Sequence, residues 1–174
     1  MSHSGNVLVA GLGSAHGDDQ AGWFVAESLA TLCRESRAAV VRQAATPLDL
    51  LNWLDDVEVL HICDACESTV GREKLHRFRW TAGRLVDPRV TRDAELGLLT
   101  ASLRGCGTHN FGLPDVLRLA ETMRRLPQQV TIWGIEGLHF QPGDVMTEET
   151  RCTALRAVRA IMAEFGGGSI APCL

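Results

Sequence analysis

Short apolar runs alternate along the chain with segments whose apolar residues recur every three or four positions. Val7 to Leu12 is an apolar run bounded by glycine, the pattern of a buried strand. After the turn GSAHGDD, residues Ala21, Phe24, Val25, Leu29 and Leu32 share one helical face up to about Arg34. Asp18 or Asp19 is placed to cap that helix, where a carboxylate meets free backbone N–H groups. Ala39 to Arg42 predicts a second short strand. Thr46 as N-cap and Pro47 at the first helical position then predict a helix that buries Leu48, Leu51, Trp53 and Leu54. Val57 to Cys63 reads as a third strand that ends in Asp64. In Leu75 to Trp80 apolar and polar residues alternate, which predicts a strand with one wet face. Periodicity is weak over 83–110, read as a long excursion with a short helix at about 93–102. A helix from Leu113 to Arg125, a strand from Gln129 to Ile135 and a closing helix from Thr147 to Phe165 complete the pattern. The glycine-rich tail over 166–174 is expected to be loose.

Strands that alternate with helices imply a three-layer α/β fold, a mostly parallel sheet covered on both faces. Ligands in such folds bind at the carboxyl ends of the strands. Three stretches follow strands here, GSAHGDD, DACES and the GIEG turn, so candidate chemistry is sought in them.

Composition narrows the classes. At roughly 150 residues per domain, 174 residues make a single domain over 1–174. A hydrophobic fraction of 45% with 22% charged residues excludes disordered and fibrous chains. The 17 basic residues against 21 acidic ones give a net charge of −4, and no basic run is present, so nucleic acid is not an expected partner. All the basic residues but Lys74 are arginine. No apolar stretch reaches the ~18 residues that a membrane span needs, and the first residues lack the basic and apolar regions of a signal peptide. Six cysteines without a secretory signal suggest free thiols, and the expected location is the cytoplasm.

Several residue groups carry candidate chemistry. The turn around Gly11 and Gly13 follows a strand and opens a helix, as in nucleotide-binding oxidoreductases. Its spacing departs from the dinucleotide fingerprint, and Asp18 and Asp19 would repel a phosphate there. One of these acids suffices for capping, so the second is available for other work. Asp64 after an apolar strand faces the crevice unless it only makes an Asx-turn. His109, in a polar turn before a helix, would alone be a capping or packing residue. With two carboxylates from separate segments it forms a set suited to a divalent first-row metal such as nickel or zinc. Cys63, Cys66, Cys106 and His109 spell a CxxC…CxxH pattern of structural-zinc type, against which stands the long spacing between its halves. HExxH and GxSxG are absent.

Taken in order, these motifs resemble those of the hydrogenase maturation endopeptidases, which remove the C-terminal tail of [NiFe]-hydrogenase large subunits once nickel is in place. The resemblance rests on Gly11-Leu12-Gly13-Ser14 with Gly17-Asp18-Asp19 through Gly22, on Asp64-Ala65, on His109 with Gly112, Leu113, Asp115, Val116 and Leu117, and on Gly134-Ile135-Glu136. It runs from about residue 6 to 165. It implies a twisted, mostly parallel sheet with one antiparallel strand between helices. It also implies that Asp19, Asp64 and His109 grip nickel, with Asp19 or Asp64 available as general base. On this resemblance the nickel arrives with the large-subunit precursor, and the protease is expected to be a monomer. A nickel-binding maturation chaperone that does not cut would need the same three residues. Departures from the family pattern are Ser14 where asparagine is usual, His16 for an aliphatic residue, and Gln43-Ala44-Ala45-Thr46 in place of an acidic turn.

Overall fold

The computed structural model describes residues 6–34, 38–67, 74–86 and 112–165. They form one six-stranded mixed sheet: β1 (Val7–Leu12), β2 (Val40–Ala44), β3 (Val59–Glu67), β4 (Leu75–Thr81), β5 (Arg84–Val86) and β6 (Gln129–Gly137). The order across the sheet is β2-β1-β3-β6-β4-β5. β2, β1, β3 and β6 are parallel, while β4 runs antiparallel to β6 and forms a hairpin with β5. The expected mostly parallel sheet with one antiparallel strand is therefore present, the reversed strand being β4.

Helices cover both faces. On one face α1 (Ala21–Cys33) and α3 (Glu148–Glu164) pack on Val9, Cys63, Trp133 and Ile135. On the other, α2 (Leu113–Thr122) and Leu50 and Leu54 cover Ala10, Ile62, Phe78 and Ile132. The alternation of side chains along a strand thus sorts each strand into two cores.

Three expectations are corrected. The segment after Thr46 is a 3-10 turn, Pro47–Asn52, rather than an α-helix. The Asp49 carboxylate accepts from the backbone N–H groups of Thr46 and Ala45, at 2.9 and 3.1 Å, which fixes the tight entry. In this tighter winding Leu50 enters the core and Leu48 is exposed. β3 does not stop before Asp64 but runs on to Glu67, because its pairing with β6 continues to Gly137. The helix expected at 93–102 and the tail over 166–174 lie outside the described residues.

The docking of α1 depends on glycine. A β-carbon on Gly22 would lie 2.0 Å from the Leu12 carbonyl oxygen and 2.5 Å from that of Cys63. One on Gly11 would lie 2.0 Å from the Gly22 carbonyl oxygen. Helix and strand backbones touch here, and no side chain fits between them. Gly22→Ala is expected to lower stability by about 1–3 kcal/mol through overpacking, read from the urea unfolding midpoint. A change within about 0.5 kcal/mol would contradict this close approach.

Candidate functional site

The turn after β1 winds into a short 3-10 helix, Gly17–Gln20, before entering α1. Gly17 has φ +50°, and a β-carbon there would lie 2.1 Å from the His139 carbonyl oxygen. Glycine lets this turn press against the loop that follows β6. Asp18 fills the contact and is 0% exposed. Its Oδ2 accepts from the backbone N–H groups of Leu138 (2.8 Å) and His139 (3.1 Å). Its Oδ1 accepts from the N–H (2.7 Å) and hydroxyl (2.9 Å) of Thr147, the residue that caps α3. Burial alone would raise the Asp18 pKa. The donors from Leu138, Thr147 and His139 together outweigh it and hold the carboxyl below its ordinary range.

Asp18 therefore does not cap α1, and no side-chain hydrogen bond caps either helical segment of this turn. The donors of the loop after β6 satisfy both oxygens of Asp18 instead. This carboxylate joins the end of β1 to the start of α3.

Asp19, its neighbour, is partly exposed. Asp64 lies near the end of β3, with Gly134 of β6 as its register partner, and alternation puts it on the face of Ile62 and Cys66. Loss of surrounding water and repulsion from Asp19 push the Asp64 carboxyl up to about 7, against a lowering hydrogen bond from the Ala65 backbone. Two carboxyls from separate strand ends thus share one small region and repel each other. His109 lies outside the described residues, and among those described no group of three His, Cys, Asp or Glu side chains could hold a metal ion.

The other candidate chemistries fare differently. Cys63 packs in the core beneath α1 and α3, whereas Cys66 packs in the opposite core beside Ile62 and Phe78. Three residues apart on one strand, the two thiols face opposite sides of the sheet and cannot chelate one ion. Burial pushes both thiols up, Cys66 to about 12, as for inert core cysteines. Cys106 lies outside the described residues. The glycines at 11 and 13 are also accounted for by packing, since a β-carbon on Gly13 would lie 2.2 Å from the Asp19 carbonyl oxygen.

A pair of residues at the same edge was not singled out from the sequence. His76 and Glu136 are both buried, with Nε2 2.8 Å from Oε1, and Lys74 Nζ lies 3.4 Å from Glu136 Oε2. Glu136 was legible in the GIEG stretch without a role. His76 was hidden because it starts its strand. Only the reversed direction of β4 brings that start to the carboxyl edge of the others.

The anchoring of Asp18 carries a pH dependence. Its folded pKa is depressed, so its stabilising contribution is full above the unfolded value and is lost as the pH falls through the folded one. Asp18→Asn is expected to cost about 1–3 kcal/mol at pH 7, because an amide cannot accept all four hydrogen bonds. That deficit should begin to shrink below about pH 4, where the unfolded chain takes up the proton on this carboxyl, and shrink further as the pH falls through the lower folded value. Urea midpoints at pH 7 and pH 3 check this, and a deficit that is independent of pH would contradict it.

No protein-family model and no curated protein sequence matches the chain. Solved structures do. The hydrogenase 2 maturation peptidase from Thaumarchaeota archaeon SCGC_AB-539-E09 superposes with a TM-score of 0.61 at 23% identity, covering 92% of this chain and 98% of that one. The hydrogenase maturating endopeptidase HybD from E. coli gives 0.64 at 20% identity, with 91% of each chain covered. The endopeptidase HycI from Escherichia coli gives 0.62 at 18% identity over 95% of each chain. Strand order, the reversed β4 and the two helical layers thus make up the fold seen in the hydrogenase maturation proteases.

Proposed function

We propose that the chain is an endopeptidase of the hydrogenase maturation family, which removes the C-terminal extension of a [NiFe]-hydrogenase large-subunit precursor after nickel insertion. The observation that carries this reading is the convergence of Asp19 and Asp64 at the carboxyl edge of a sheet with that fold. Two carboxyls that repel each other form a donor set for a divalent cation, since an ion between them replaces repulsion with attraction. His109 would add a nitrogen donor and complete the set.

The nickel belongs to the substrate in this reading. Asp19, Asp64 and His109 take up coordination positions that the precursor leaves open, and the neighbouring scissile bond is thereby fixed in place. The ion supplies Lewis acidity at the carbonyl or at an attacking water. A carboxyl whose pKa lies about 7 is matched to proton transfer near neutrality, so Asp64 serves as the general base where it does not bind the ion. A precursor without nickel offers nothing to coordinate, and cleavage is withheld until the metal is present.

The test is cleavage of matched precursors with and without nickel, by wild type, Asp19→Ala, Asp64→Ala and His109→Ala. Wild type is expected to trim only the nickel-loaded precursor, and each variant to lose roughly 100-fold or more in rate. Trimming of the nickel-free precursor at the same rate would overturn the nickel checkpoint. Nickel binding without any cleavage by wild type would leave a chaperone that holds the metal and does not cut.

A further inference from the structure

His61 lies in the first half of β3, away from the carboxyl edge, and is 1% exposed. Alternation puts it on the same face as Cys63, beneath α1 and α3. An imidazole in an apolar core needs a hydrogen-bond partner. Trp133 of β6 supplies one, its indole Nε1 donating to His61 Nδ1 at 3.3 Å. Trp133 is the register partner of Cys63, so it meets His61 diagonally across the ladder. An indole N–H is a donor only, and Nδ1 must therefore keep its lone pair. The ring is then neutral, with its one proton on Nε2.

The other side of the ring meets the end of α3. Phe165, the residue after that helix, stands edge-on to the imidazole at 5.7 Å, while the Trp133 ring lies 27° from parallel at 6.4 Å. Among the described residues, the charged groups that face the ring are Glu164 of α3 and Arg77 of β4. Glu164 Oε2 is 4.0 Å from His61 Nε2, and its other oxygen pairs with Arg77. The Arg77 guanidinium in turn sits 5.2 Å over the Trp133 ring. Residues from β3, β4 and β6 and the last turn of α3 thus close around one imidazole. Burial first, and the Arg77 charge second, push the His61 pKa down to about 4. Glu164, whose side chain is 32% exposed and already paired, does not offset them.

We infer that His61 is a proton-sensitive latch whose neutral ring fastens the end of α3 to the sheet and which a proton on Nδ1 unfastens. That proton would set two N–H donors against each other and leave a charge in the core. The unfolded chain takes it up near pH 6.5, whereas the folded chain refuses it until about pH 4. Between these values acid favours the unfolded chain by one proton, about tenfold in the unfolding constant per pH unit. Asp64, raised to about 7, gains its proton in the folded chain over the same range and acts with the opposite sign. The latch is therefore read as a difference between wild type and a variant without the imidazole.

The experiment compares unfolding constants of wild type and His61→Asn, from urea curves between pH 4.5 and 7.5. The asparagine amide oxygen is an acceptor for the indole N–H and does not titrate. The ratio of wild type to variant is expected to be flat above about pH 7 and to rise about tenfold per pH unit from about pH 6 to 4.5. A ratio independent of pH would overturn the latch. Nitrogen-15 NMR of the wild type decides the matter even where His61→Asn does not fold. The expected spectrum shows a neutral ring protonated on Nε2 from pH 7.5 to 5, and an imidazolium only in the acid step that also shifts the Trp133 indole N–H signal. An imidazolium at pH 6, a neutral ring protonated on Nδ1, or an indole signal that stays in place as the ring charges would each overturn it.

Discussion

The carboxyl edge of the sheet is held together by the buried carboxylate of Asp18. Four donors from one loop and one helix cap converge on two oxygens, and burial would make that charge prohibitive without them. The loop after β6 is thereby fixed against the turn after β1, and Asp19 follows directly in the chain. An unpaired Asp18 would release the segment that presents Asp19 to Asp64. The pair of adjacent acids thus divides, the first a buried anchor and the second partly exposed and close enough to Asp64 to repel its charge.

Much of this was legible in the sequence because the strands are apolar and bounded by turn residues. β1 was found at its observed limits, and the buried alternation of β4 was visible as well. The tight turn after Thr46 has a local cause in the Asp49 carboxylate, whereas the other misreadings come from contacts between segments far apart in the chain. Capping by Asp18 was a local inference that donors roughly 120 residues away override. Asp64 lies inside β3 rather than after it because β6 extends the pairing. The CxxC pattern lost its chemical meaning once strand geometry sent its two thiols into opposite cores.

Asp64 and the GIEG stretch are legible in the sequence as strand ends, whereas His76 is not. Strand direction is not written in local periodicity, and β4 is antiparallel to its neighbour β6, so its first residues reach the same edge as the last residues of β1, β3 and β6. The edge that results is asymmetric. Carboxyls gather on the β1–β3 side, and an imidazole with its carboxylate and the chain's one lysine gathers on the β4–β6 side.

Calorimetric titration of nickel into the wild type, Asp19→Asn, Asp64→Asn and His109→Ala asks most directly whether the strand-end carboxyls form one cation site. The expected result is a single site in the wild type, weakened at least about tenfold in each variant, which corresponds to roughly 1.4 kcal/mol or more per ligand. Wild-type affinity retained in both aspartate variants would contradict a shared ion, and with it the central role given to the Asp19–Asp64 pair.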